Sequence, residues 1–158
     1  MSFGYGTRIT TPGGDVAIER ISACDQVLVG RLESNIPIWM PATVQFSDGD
    51  MQGSRSMSAL SFEAGERLVC TPGQPLLSAD GRVVRADRLR PGDQLLAPDG
   101  TPRTIAANMV VKWTRGLHGV AAGSWTGSPD GHFIAAGGVV AGDWLLEVNL
   151  PRDLQDLN

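Results

Sequence analysis

The side chains that could do chemistry concentrate in one stretch, Leu68-Val69-Cys70-Thr71-Pro72-Gly73-Gln74-Pro75-Leu76-Leu77. An apolar run enters a sharp Thr-Pro-Gly turn that carries a thiol, a hydroxyl and an amide. A thiol or hydroxyl beside a base can act as a nucleophile. An amide can donate and accept hydrogen bonds, but it cannot carry a proton near neutral pH. Strand alternation sends Cys70 and Thr71 to opposite faces, so Cys70 reads as a buried structural thiol. Ser2, in Ser2-Phe3-Gly4, is a second reactive possibility. His132 reads either as a strand histidine satisfied by local hydrogen bonds or as an acid–base group. Cys70 with His132 would make a cysteine hydrolase, but only if both side chains share a face. His118 matches no motif and reads as surface. Cys24 occupies a turn, and Asp25 and Asp93 read as turn caps. With Cys24, Cys70, His118 and His132 the only cysteines and histidines, no Cys/His zinc pattern assembles. No cofactor is implied.

A chain of 158 residues reads as one domain with a sizeable core. Its 20 glycines and 10 prolines point to turns and short strands, an all-β class. A net charge of −4 with scattered arginines argues against nucleic-acid binding. No run approaches the roughly 20 apolar residues of a membrane helix, and no signal peptide is visible. The expectation is a cytoplasmic protein by default, or an excised domain. Cys24 and Cys70 could pair or stay free.

Taken in order, strands are expected over 6–10, 25–29 and 43–46, with 16–21 a short strand or a helical turn. Pro37 and Pro41 make 36–41 an edge or a loop. The polar stretch 48–56 reads as a mobile loop. Residues 57–62 and 67–71 form a hairpin about Glu63-Ala64-Gly65-Glu66. Further strands fall at 104–113, near Val120-Ala121, and at 132–135 and 139–141 across Gly137-Gly138. Residues 144–148 read as a last strand that closes the sheet. The domain is expected over 1–150, with 151–158 a tail or linker.

The first part of the chain recurs. Residues 9–29 fall on 77–97 at a constant shift, since 77 − 9 = 68 and 97 − 29 = 68. Gly13 meets Gly81, Val16 meets Val84, Arg20 meets Arg88 and Ile21 meets Leu89. Asp25-Gln26-Val27-Leu28 meets Asp93-Gln94-Leu95-Leu96 with no gap. Turn, acidic and apolar positions all stay in register, so an internal duplication is expected. Two copies suggest a pseudo-twofold β fold rather than a solenoid, which needs more.

These features resemble the Hint domains shared by inteins, hedgehog autoprocessing domains and bacterial intein-like domains. Ser2-Phe3-Gly4-Tyr5-Gly6-Thr7 is similar to the family's opening: a nucleophile, Phe, two variable residues, Gly, Thr. Thr71-Pro72-Gly73-Gln74 resembles its Thr-x-x-His motif, and residues 86–93 resemble the element that follows. Phe133-Ile134-Ala135-Ala136-Gly137-Gly138-Val139-Val140 resembles the run before the terminal His-Asn of splicing inteins. The resemblance spans 2–144. It implies a flattened all-β horseshoe with a pseudo-twofold internal repeat.

It also implies a chemistry, with Ser2, Thr71, Gln74 and His132 at the site. Ser2 Oγ would attack the carbonyl of the Met1–Ser2 bond and turn an amide into an ester. Thr71 would hold the strained amide. Gln74 stands where the family has its proton-carrying His, and His132 sits one residue from the family's upstream His. Ala141 and Gly142 stand in register with the terminal His-Asn, so splicing is not expected. The expected activity is self-processing at the N-terminal bond, in a single turnover on the chain's own flanking polypeptide. The alternative is an inactive Hint-like structural or interaction module of a larger protein.

Overall fold

The structure, a computed structural model, describes residues 3–150. Ser2 and the expected tail at 151–158 lie outside the described residues. The strands are β1 (Phe3–Gly4), β2 (Arg8–Thr11), β3 (Gly14–Ala17), β4 (Gln26–Glu33), β5 (Ile36–Asp50), β6 (Arg55–Phe62) and β7 (Arg67–Cys70). There follow β8 (Pro75–Leu77), β9 (Val83–Arg85), β10 (Gln94–Leu96), β11 (Pro102–Trp113), β12 (Leu117–Ala122), β13 (Phe133–Ala136) and β14 (Val139–Gly142). Among the described residues there is one α-helix, α1, over Trp144–Asn149. The protein is all-β, a curled antiparallel sheet. No helix among the described residues is long and apolar enough to cross a membrane.

The internal repeat is present in the backbone. Single 3-10 turns occupy Ile18–Arg20 and Ala86–Arg88, again 68 residues apart. Asp25 Oδ2 accepts the Ser22 N–H at 2.9 Å, and Asp93 Oδ2 accepts the Arg90 N–H at 2.8 Å. Both aspartates therefore cap turns, since a short carboxylate reaches back to its own backbone. Cys24 (φ 77°) and Gly92 (φ 93°) both lie in the left-handed region. Cys24 N donates to Val44 O and Gly92 N to Ile105 O, so each turn is tied to a long strand in the same way.

Strand order extends this symmetry. β7 and β1 pair at the centre, with Phe3 opposite Cys70. Outward from them run β6, β11 and β10 on one side and β12, β5 and β4 on the other. The sheet continues from β4 through β13 and β14 to β8 and β9, with β2 joined to β13 and β3 to β2. The two copies fill one core together. Ile18, Ile21 and Val27 pack in the same cluster as their counterparts Ala86, Leu89 and Leu95. A second cluster of Leu77, Leu96, Phe133, Val140 and Leu146 lies under α1.

Four expectations are corrected. First, 36–41 is no loop: β5 runs unbroken from Ile36 to Asp50 through both prolines. Residues 36–43 pair with β4 alone, and β12 joins only from Val44 onward, so the prolines need no partner on their second side. The edge expectation holds there. Second, the loop expected over 48–56 shrinks to 51–54, because β5 and β6 extend into it. Third, 144–148 is helix rather than strand, for a reason given below. Fourth, His118 is buried on β12. Its Nε2 meets Ser47 Oγ at 2.8 Å, and burial lowers its pKa, against the charges of Glu19 and Asp48.

Candidate functional site

β7 carries the chain to the Thr71 turn, beside the first residue of β1. The turn is fixed by backbone bonds. Gln74 N donates to Thr71 O at 3.0 Å, Ala86 N to Gln74 O at 3.0 Å and Asp87 N to Pro72 O at 2.9 Å. The second and third of these tie the turn to the 3-10 turn of the second repeat copy. Thr71 is half-buried and lines a cavity of about 450 Å³ with Asp50, Arg55, Ser56, Met57 and Leu117. Its hydroxyl donates to Glu147 Oε1 of α1 over 3.4 Å, a long contact.

Gln74 is fully buried. Its Nε2 donates to Pro75 O and to Gly142 O, both at 2.8 Å. Two carbonyl acceptors on one side fix which amide atom is nitrogen. Oε1 is buried with no hydrogen-bond partner. Gln74 thus works as a strut between its turn and the end of β14. Cys70 is inaccessible, as alternation implies. Burial first, then the charges of Glu147 and Asp87, push its thiol pKa upward. A fully buried Cys70 is closed to an outside substrate, which speaks against a Cys70–His132 hydrolase. Cys24 is exposed, and both cysteines are free.

His132 is buried beside Asp143. Its Nδ1 meets Asp143 Oδ2 at 2.9 Å and its Nε2 meets Ser124 O at 3.0 Å. A carbonyl only accepts, so Nε2 carries a hydrogen. The Asp143 hydrogen bond raises the imidazole pKa; burial opposes the rise, and the Asp143 charge and the Ser124 carbonyl add to it. Both ring nitrogens are engaged.

Asp143 and Glu147 were not found by sequence reasoning. Asp143 is fully buried and is the N-cap of α1: its Oδ1 accepts the Leu146 N–H at 2.9 Å. This cap makes 144–149 a helix where the apolar run suggested a strand. Its signal was available, an Asp directly before an apolar run. Glu147 had no signal, because it lies 76 residues from the Thr71 it meets. Gly142, the last residue of β14 and the one before the cap, is packed closely. A Cβ there would lie 2.7 Å from Leu146 Cδ2 and 3.1 Å from Pro75 Cβ. The structure therefore brings Thr71, Gln74, Gly142 and Glu147 into one linked group. His132 is joined to it through Asp143, whose N–H donates to His132 O at 2.8 Å. No group of residues that could hold a metal occurs among the described residues.

No protein-family model matches the sequence, and no curated protein matches it. Solved structures do. A solution structure of a bacterial intein-like domain from Clostridium thermocellum matches with TM-score 0.74 and 23% identity, over 90% of this chain and 97% of that one. The chain has the Hint fold. The gp41-1 intein is similar with TM-score 0.68 and 16% identity, over 90% of this chain and 98% of its own. A DnaB intein from Synechocystis sp. PCC 6803 gives TM-score 0.69 and 15% identity, over 90% and 97%. At these identities the likeness is one of fold.

Proposed function

We propose that this Hint-fold domain cleaves the peptide bond preceding Ser2 by an acyl shift on its own chain. The pairing of Phe3 with Cys70 carries this reading. It starts β1 directly against the end of β7, where Thr71 begins its turn. Ser2 Oγ attacks the preceding carbonyl carbon. The new O–C bond forms as the C–N bond breaks, and the hydroxyl proton ends on the Ser2 nitrogen as an amine. The resulting ester releases the upstream segment to water or an added thiol, and the Ser2 hydroxyl is restored.

Thr71 supports the amide, and Gln74 holds its turn rather than carrying protons. Lacking an acid–base group at Gln74, the reaction runs some 10²–10⁴-fold below one that has it. Ala141 and Gly142 offer no cyclising side chain, and β14 runs on into α1, so processing is limited to the N-terminal bond. The test is a short peptide fused before Ser2, compared with its Ser2→Cys form with and without dithiothreitol. Release of the peptide in mass spectra, faster for Ser2→Cys, supports the reading. No release in either form would sink it.

A second reading, a structural or interaction module with no chemistry, is favoured by Gln74. Its fully buried amide spans the turn to Gly142 O, as a structural strut would. Gln74→His separates the two: cleavage that appears or accelerates favours the enzyme, and silence in every form favours the module.

A further inference from the structure

We propose that Glu147 is a positioning residue of the acyl shift, fixing the Thr71 hydroxyl so that its oxygen accepts from the scissile amide N–H. The inference rests on the autoprocessing reading above. A hydroxyl has one hydrogen and two acceptor lone pairs, and alone it rotates freely. In this fold the Thr71 hydroxyl lies 3.4 Å from Glu147 Oε1, a carboxylate oxygen that can only accept, so the hydroxyl is the donor of this pair. With the hydrogen held there, the oxygen facing the reacting chain is an acceptor. Contacts of this kind are commonly long in the free protein and shorten when the reacting group is in place.

The carboxylate can do this because α1 is held firmly. Six residues of isolated helix would not persist in water. Here Asp143 caps the helix through Leu146 N, and its second oxygen is bound by His132. Trp144 stacks on Phe46 at 4.2 Å between centroids and 18° between planes. Leu146 is buried against Leu77 and Val140. The Glu147 charge also reaches the turn, since it contributes to the upward shift of the neighbouring Cys70 thiol. Gln74 gives the turn no proton carrier, which leaves amide positioning by Thr71 a larger share of the work.

The test uses the full chain with a short peptide fused before Ser2, in the Ser2→Cys form with dithiothreitol. Release rates are read by mass spectrometry for Glu147→Ala, Glu147→Met, Glu147→Gln, Thr71→Val and the Thr71→Val/Glu147→Ala pair. Unfolding midpoints are taken on each, and Glu147→Met keeps the side chain's bulk should Glu147→Ala fold poorly. Removing the acceptor should slow release about tenfold, the loss of one hydrogen bond to a charged group. Glu147→Gln keeps an acceptor oxygen and should recover most of the rate. In the Thr71→Val background Glu147→Ala should change nothing further. Release at the parent rate in Glu147→Ala and Glu147→Met, or equal slowing with and without Thr71, overturns the role. If the parent itself releases nothing, the autoprocessing reading falls, and this inference with it.

Discussion

The Gln74 side-chain amide donates to the Gly142 carbonyl at 2.8 Å, joining residues 68 positions apart in the chain. The same nitrogen also donates to Pro75 O. Gln74→Leu keeps the volume but removes the side-chain donor from both carbonyls in a buried site. It should cost about 1–3 kcal/mol of unfolding free energy, the loss of two buried hydrogen bonds at about 0.5–1.5 kcal/mol each. Denaturant melts that show less than about 1 kcal/mol would contradict the strut.

Gly142 should tolerate no side chain while Leu146 stands over it. Gly142→Ala puts a Cβ 2.7 Å from Leu146 Cδ2 and should cost about 1–3 kcal/mol. Leu146→Ala leaves a cavity and should cost about 2–5 kcal/mol alone. Together the two should cost clearly less than their sum, because the small side chain fills part of the space made. Simple additivity would place the clash elsewhere.

The two histidines should titrate on opposite sides of the ordinary imidazole value of about 6.5. Asp143 raises His132, so its stabilising effect is complete below that value and is lost as pH rises through the higher, folded one. Burial lowers His118, so in the folded protein it stays neutral while the unfolded chain takes up a proton. That difference costs stability as pH falls below about 6.5. NMR titration of the ring protons reads both, and Asp143→Asn should lower the His132 midpoint. A His118 midpoint above that of His132 would contradict the assignment.

Cys24 and Gly92 hold equivalent left-handed positions, but only glycine does so without cost. A side chain there costs roughly 1–2 kcal/mol, and glycine's extra unfolded freedom returns about 0.5–1 kcal/mol of that. Cys24→Gly should therefore stabilise by up to about 1 kcal/mol, and Gly92→Ala should destabilise by a similar amount. Unfolding free energies of the two variants decide it. Destabilisation by Cys24→Gly would contradict the equivalence of the two turns.

The same pair shows what was legible in the sequence. The constant shift of 68 placed Asp25 with Asp93 and Cys24 with Gly92, and these residues make the same bonds in the structure. Turn chemistry is local, so it survives as a readable pattern. The Gly137-Gly138 hairpin was legible for the same reason, since both residues take positive φ. Long-range relationships were not. The prolines of β5 marked 36–41 as an edge or a loop, but not that a strand runs unbroken through both of them to Asp50. Residues 144–148 carry an apolar strand-like run, and only the buried cap Asp143 decides for helix. His118 read as surface because it matches no motif, and its burial comes from β12, which is buried at every residue. Thr71 and Gln74 could be singled out from their turn. Their contacts with Glu147 and Gly142 depend on tertiary packing that no spacing encodes.

The most direct test is whether an ester forms at Ser2. The chain with a short peptide fused before Ser2 would be incubated in hydroxylamine, beside its Ser2→Ala and Thr71→Val forms, and intact masses read over time. Hydroxylamine attacks an ester far faster than an amide. Formation of the upstream peptide as its hydroxamate, slower in Thr71→Val and absent in Ser2→Ala, is the predicted result. Equal release with and without the Ser2 hydroxyl, or none from the parent chain, would contradict the account.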